Sequence, residues 1–141
     1  MYNKGVKAYQ KSSLEAELAV ADPHRVIQLL MQGALERIAK AKGAIERRDF
    51  EQKATLISAA NAIINGLQDA LDPDQKEISG NFYAFYESIK ALLTEASVSM
   101  DVAPLDQAIS LLLPVKAAWD QIPEAEKQKA YQQQRHQGET S

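Results

Sequence analysis

Cysteine is absent from the 141 residues of this chain. That absence excludes disulfides, thiolate metal sites and a cysteine nucleophile, and it suits a reducing compartment. A basic surplus is also missing, because 16 lysines and arginines are outnumbered by 19 acidic residues and the net charge is −3. Proteins dedicated to nucleic-acid binding carry such a surplus. We therefore expect no nucleic-acid partner.

Long apolar runs are missing as well. No stretch approaches the roughly 18 apolar residues that span a membrane. The first 21 residues have no continuous apolar core, so they do not resemble a signal peptide. We expect a protein that does not insert into membranes.

Catalytic and metal-binding patterns are lacking too. The two histidines, His24 and His136, have no glutamate or histidine at the helical spacing of di-iron and zinc sites. Neither a glycine-rich phosphate loop nor a nucleophile elbow is present. We expect a protein that is not an enzyme and has no cofactor or metal.

Glycine and proline are sparse, with 6 and 5 copies, and most fall where helices should begin or end. Asp22 followed by Pro23 is typical of a helix start, and Asp49 with Gln52 has the spacing of a capping box. A third helix is expected after Ser79 and a fourth from Pro104. Pro114 lies inside the fourth and predicts a kink there.

Apolar residues recur every three or four positions along each of these segments, as on one face of a helix. The predicted stripe of the third helix is Phe82, Phe85, Ile89, Leu92, Ala96 and Met100, and that of the fourth is Leu105, Ala108, Leu112, Val115, Trp119 and Ile122. Four such helices with short connections predict an all-α fold, an antiparallel up-down four-helix bundle. We expect an N-terminal segment at 1–21 that has a short helix and is either mobile or packed over a groove of the bundle. The bundle itself is expected at 22–122, followed by a polar, flexible tail at 123–141.

The second helix carries one charge, Asp69, in the stretch LISAANAIINGLQDAL. A helical wheel gives it two apolar rows instead of the usual one. The first row is Ile57, Ala60, Ile64, Leu67 and Leu71, and the second is Leu56, Ala59, Ile63, Gly66 and Ala70. Both rows could be core, or one could line a groove that accepts a partner helix. The wheel does not decide which row faces inward.

Several motifs follow one another in the order and spacing of a known family. They are Tyr9, the run AVADPHRVIQLLMQGAL, the turn AIERRDFEQ, the set Ile57, Ala60, Ile63, Ile64 and Leu67, the segment EISGNFYAFYESI, and AAWDQI with Trp119. In these motifs the chain, from about residue 5 to 123, resembles the flagellin export chaperone family, known as FliS.

This resemblance implies a cytoplasmic helical-bundle chaperone. It would hold the disordered C-terminal segment of flagellin, prevent premature polymerisation, and deliver its client to the flagellar export gate. Contacts with other flagellar regulators are also implied. On this basis we expect the Ile57 row to face the core and the second row to line the groove. The expected flagellin-binding residues are Tyr9, Leu56, Ala59, Ile63, Gly66, Leu67, Phe82 and Tyr86.

One rival interpretation belongs to a different class. The second apolar row could instead make a homodimer, giving the bundle a structural or adaptor role. The chaperone interpretation requires no dimer, so we expect a monomer or a weak homodimer. A size measurement without client distinguishes the two.

Overall fold

A computed structural model describes residues 14–122, which form five helices and no strand. A short helix, α1, covers residues 14–20. The long helices are α2 (Pro23–Glu46), α3 (Phe50–Asp69), α4 (Lys76–Ser99) and α5 (Ala103–Asp120). α2 and α4 each pack against both α3 and α5, so the four close into a ring. The predicted helical bundle is confirmed. The predicted tail, 123–141, and Tyr9 lie outside the described residues.

The start signals at α2 and α3 act as capping residues. The Asp22 side chain accepts a hydrogen bond of 2.8 Å from the Arg25 backbone N–H, and Pro23 occupies the first turn. The Asp49 side chain likewise accepts from the Gln52 backbone N–H at 3.1 Å. Each bond satisfies an N–H that the first turn of a helix leaves without a partner.

Helix α2 ends in a Schellman motif built on an arginine. Arg48 has a φ of 57°. Its backbone N–H donates to the Ile45 carbonyl, and the Asp49 N–H donates to the Ala44 carbonyl. This left-handed position usually holds glycine because a Cβ atom is strained there.

Helix α4 begins at Lys76, earlier than the sequence predicted. The predicted start after Ser79 was wrong because that serine does not cap the helix. Its backbone N–H already donates to the Gln75 carbonyl within the first turn. Its hydroxyl donates instead to the Asp72 carbonyl, which ties the preceding loop to the helix.

The buried face of α4 is also rotated relative to the predicted stripe. Its buried residues are Tyr86, Ile89, Leu93 and Ala96. Phe82 is 36% exposed and Leu92 is only half-buried, so these two members of the predicted stripe lie at its edge. Apolar residues occupy adjacent positions at 85–86 and 92–93, and either set satisfies a helical period. The packing of α4 against α3 and α5 places Tyr86 and Leu93 in the core.

Helix α5 runs through Pro114 without a break in its assigned range. Proline has no backbone N–H, so the Ser110 carbonyl lacks its usual donor four residues on. Both residues are exposed, and water can take that bond. The predicted kink stays a prediction. Leu105, Ala108 and Leu112 form the buried part of the predicted α5 stripe.

The start of α2 and the end of α5 are joined by a reciprocal contact. The indole N–H of Trp119 donates to the His24 carbonyl at 3.0 Å, and His24 Nε2 donates to the Trp119 carbonyl at 2.9 Å. The two rings stack at a centroid distance of 4.8 Å, 8° from parallel. His24 is thereby 5% exposed. We call this contact the His24–Trp119 clasp.

Helix α3 faces the core on one side and α4 on another. Its first row is the core face, since Ile57, Ala60, Ile64 and Leu67 are each at most 5% exposed. A polar sector faces α4. There the Gln68 amide donates to the Tyr83 carbonyl and to Glu87, Asn65 accepts from Lys90, and Lys53 donates to the Ser97 carbonyl. We call this set of contacts the α3–α4 polar seam.

Candidate functional site

The second row of α3 lies against α2. Leu56, Ala59, Ile63 and Gly66 are all half-buried, in contrast to the first row. Leu30 and Gly33 of α2 pack beside them. We call the surface formed by these six residues the α2–α3 cleft.

The walls of this cleft approach most closely at Gly33, whereas Gly66 has only an ordinary van der Waals neighbour. A Cβ atom placed on Gly66 would lie 3.8 Å from Leu30 Cδ1, and one on Gly33 would lie 3.3 Å from Ile63 Cδ1. The sequence had suggested that Gly66 lets a partner helix approach. In the structure the close neighbour of Gly66 is Leu30 of the same chain.

Helix α1 adds an apolar side chain to the cleft. The same Cβ position on Gly33 lies 3.8 Å from Leu14 Cδ2. Leu14 and Ile63 therefore approach Gly33 together, one from α1 and the other from α3. Tyr9 comes five residues earlier and lies outside the described residues.

The two predicted site residues on α4 lie on the opposite flank of α3. Helix α3 stands between α2 and α4, so Phe82 and Tyr86 are separated from the α2–α3 cleft. Phe82 is 36% exposed and its ring lies 6.2 Å from that of Tyr86. Tyr86 is 3% exposed, and burial raises the pKa of its hydroxyl. A partner that contacts Phe82 and the cleft together must cross α3.

Burial divides the predicted binding residues into two sets. Leu67 and Tyr86 are core residues, at 1% and 3% exposure, and present almost no surface in this conformation. Leu56, Ala59, Ile63 and Gly66 keep part of their surface, as does Phe82. The sequence placed Leu67 in the core row as well as in the binding set, and the structure supports the first placement.

One charged group contacts the cleft, because Arg37 Nη1 lies 3.2 Å from the Cβ position on Gly33. Arg37 Nη1 donates to the Gly33 carbonyl at 3.1 Å along the α2 edge. Glu87 lies on α4, about one turn after Phe82. Hydrogen bonds from Lys90 and Gln68 hold the pKa of its carboxyl below its usual value. Glu87 therefore stays ionised within the seam. The cleft itself offers apolar contacts and backbone proximity.

Within residues 14–122, no group of three or more histidine, aspartate or glutamate side chains is placed to hold a metal ion. No helix in this range is long and apolar enough to cross a membrane.

The fold defines a small helical-bundle protein with a half-buried apolar cleft between two of its helices. The family model described as "Flagellar protein FliS" matches residues 5–126. The chain belongs to this family of flagellar secretion chaperones.

Named relatives agree with this assignment. The flagellar secretion chaperone FliSB of Pseudomonas aeruginosa is 49% identical over 120 residues, which cover 84% of this chain and 95% of that protein. The flagellar secretion chaperone FliS of Vibrio cholerae is 34% identical over 119 residues, with coverage of 84% and 88%. That of Salmonella typhimurium is 33% identical over 120 residues, with coverage of 84% and 89%.

Proposed function

We propose that this protein is a cytoplasmic export chaperone for flagellin. It binds the disordered C-terminal segment of its client, prevents premature polymerisation, and delivers the client to the flagellar export apparatus. Family membership supports the secretion-chaperone role, which is not enzymatic. The observation that carries the binding proposal is the α2–α3 cleft, an apolar surface that the bundle leaves half-covered.

The client segment suits this surface on physical grounds. A segment that is disordered alone and amphipathic when ordered can gain stability by burying its apolar face in such a cleft. Leu56, Ala59 and Ile63 supply the apolar contacts with the surface that they leave uncovered. Phe82 lies beyond α3, so the same segment reaches it by wrapping around the bundle.

The N-terminal segment is the natural occupant of the cleft before the client arrives. Leu14 already lies beside Gly33. We propose that Tyr9 and its neighbours continue along the cleft and are displaced by the client. Each partner would then cover apolar surface that would otherwise be exposed to water.

Three alanines on α3 allow a matched test. Ala54 is exposed, Ala59 is half-buried in the cleft, and Ala60 is 0% exposed in the core. Replacement of each with glutamate adds the same volume and charge at three depths. A charge held against apolar surface without a partner is costly, so Ala59→Glu should weaken client binding by about a hundredfold or more.

The measurement is calorimetric titration with a peptide of the flagellin C-terminal segment encoded by the same genome. We expect one-to-one binding with a negative heat-capacity change, which reports apolar burial. Ala54→Glu should bind normally, Ala59→Glu should fold but bind poorly, and Ala60→Glu should unfold the bundle. Normal binding by a folded Ala59→Glu variant would remove the cleft from the proposal.

Size measurement without peptide tests the rival homodimer. A stable dimer that fails to bind the peptide would favour the structural or adaptor role.

A further inference from the structure

A second apolar groove runs between α2 and α5. Its apolar lining is Leu35 and Ala39 of α2 with Ile109 and Leu113 of α5, and its volume is about 360 Å³. Gln32, Glu36 and Lys116 supply the polar part of the lining. Leu113 is 52% exposed, which is high for a leucine that faces a groove. We call this surface the α2–α5 groove.

Polar cross-links close both ends of this groove. Lys42 forms a salt bridge with Asp106 at one end, and Gln28 donates to Asp120 at 2.6 Å at the other. The stretch of α2 between these links is about 21 Å long, at 1.5 Å per helical residue. The groove is thus a bounded apolar strip. It is separate from the α2–α3 cleft, because α2 packs between α3 and α5.

The last described residues lie at one end of this groove. The described residues end at Ile122, two residues after Asp120 at the Gln28 end. Residues 123–141 begin with a proline, and their one large apolar side chain is Tyr131. The family match ends at residue 126, so Tyr131 lies beyond the shared part of the chain.

We propose that the tail, residues 123–141, docks in the α2–α5 groove with Tyr131 against Leu113. Leu113 and Tyr131 each lie nine residues from Ile122. Leu113 is therefore about 13 Å back along α5. Nine residues span about 13 Å as a helix and up to about 30 Å when extended, so the tail reaches Leu113 in either form.

The chemistry of the groove fits this occupant. A tyrosine ring can cover Leu113 and Ile109 while its hydroxyl remains in water, as the open rim of the groove requires. The rim also carries Glu36, whose carboxylate accepts from Gln32. Arg135 follows Tyr131 by four residues and supplies a cation for that carboxylate. A tethered tail has an effective concentration on the order of millimolar, so weak contacts suffice.

The absence of cysteine makes the test direct. A single Leu113→Cys substitution places one thiol in the groove of the full-length chain, and its rate of alkylation reports how often the groove is open. Val98→Cys on α4 is the control, because Val98 is 82% exposed and does not line the groove. Each thiol is then measured alone, with Tyr131→Ala, and with Gln133→Ala as a matched change in the tail.

A contact with an intrinsic Kd of about 0.3 mM should slow alkylation of Leu113→Cys about fourfold at millimolar effective concentration. Tyr131→Ala should remove this protection, whereas Gln133→Ala should leave it. The Val98→Cys rate should be the same in all three backgrounds. Equal rates for Leu113→Cys with and without Tyr131 would overturn the proposal. Protection that survives Tyr131→Ala and rises with protein concentration would also overturn it, and would assign the groove to a second copy of the chain.

Discussion

Replacing Trp119 with alanine should destabilise the bundle by about 2–3 kcal/mol, somewhat less than the cost for a fully buried tryptophan. The indole is only half-buried, but it makes both a ring stack and a hydrogen bond in the His24–Trp119 clasp. His24→Ala should cost about 2 kcal/mol, from the same stack and from its own bond of about 1 kcal/mol to the Trp119 carbonyl.

The geometry of the clasp fixes how these two losses combine. Each side chain donates to the other residue's backbone carbonyl, which no side-chain substitution removes. Both hydrogen bonds therefore remain available when the partner's side chain is truncated. Only the stack requires both rings, and a stacked pair contributes about 0.5–1.5 kcal/mol beyond its buried area. The double variant should thus be more stable than the sum of the single losses predicts, by about 1 kcal/mol.

Urea unfolding followed by far-UV circular dichroism gives the free energy of unfolding of the original protein, the two single variants and the double variant. It does not rely on tryptophan fluorescence. Trp119→Phe provides an internal check, because it keeps a ring against His24 but loses the N–H, and should cost about 1 kcal/mol. A coupling energy below about 0.3 kcal/mol would refute the stacking argument, since that is within the scatter of independent sites. A coupling well above about 2 kcal/mol would show that the hydrogen bonds depend on the rings, contrary to the argument from backbone acceptors.

The remaining predictions concern the end of α2 and the response to acid. Arg48→Gly should raise the free energy of unfolding by roughly 0.5–1 kcal/mol, because it relieves the left-handed backbone at φ 57°. Arg47→Gly, at φ −83°, should lower it, and urea midpoints that shift in the same direction for both variants would contradict the strain argument. Hydrogen bonds from Lys116 and Gln28 lower the pKa of Asp120 below its ordinary 3.8, so its stabilising contribution is present above that value and is lost as the pH falls through the lowered pKa. Asp120→Asn should therefore reduce the difference in urea midpoint between about pH 6 and about pH 3, and an unchanged difference would remove this carboxyl from the acid response.

Local signals in the sequence predicted most of the fold. Asp22 and Asp49 cap helices as expected, because a short side chain with an acceptor can satisfy first-turn N–H groups whatever the rest of the chain does. The core row of α3 agreed with the expected one, since Ile57 and Leu67 are buried. Such features depend on neighbours within one or two turns of the same helix.

Features that depend on two helices were harder to predict. Periodicity accepts either Leu92 or Leu93 as a core residue, and only the position of the neighbouring helices decides between them. His24 looked unremarkable in the sequence because its partner, Trp119, is 95 residues away. The candidate binding surface shows the same division. The sequence predicted a second apolar row, but it did not predict that Leu30 lies beside Gly66 or that Leu14 lies beside Gly33.

The α3–α4 polar seam has a consequence for how the opposite side of α3 can respond to a partner. Apolar rows tolerate small sliding movements, whereas the bonds from Gln68 to the Tyr83 carbonyl and from Lys53 to the Ser97 carbonyl require one register. A one-turn shift of α3 would break bonds near both of its ends at once. These bonds hold α3 in one position along α4. A segment that binds in the α2–α3 cleft therefore contacts a helix that does not have to move. Most of the ordering entropy of binding should then be lost by the incoming segment and little by the bundle.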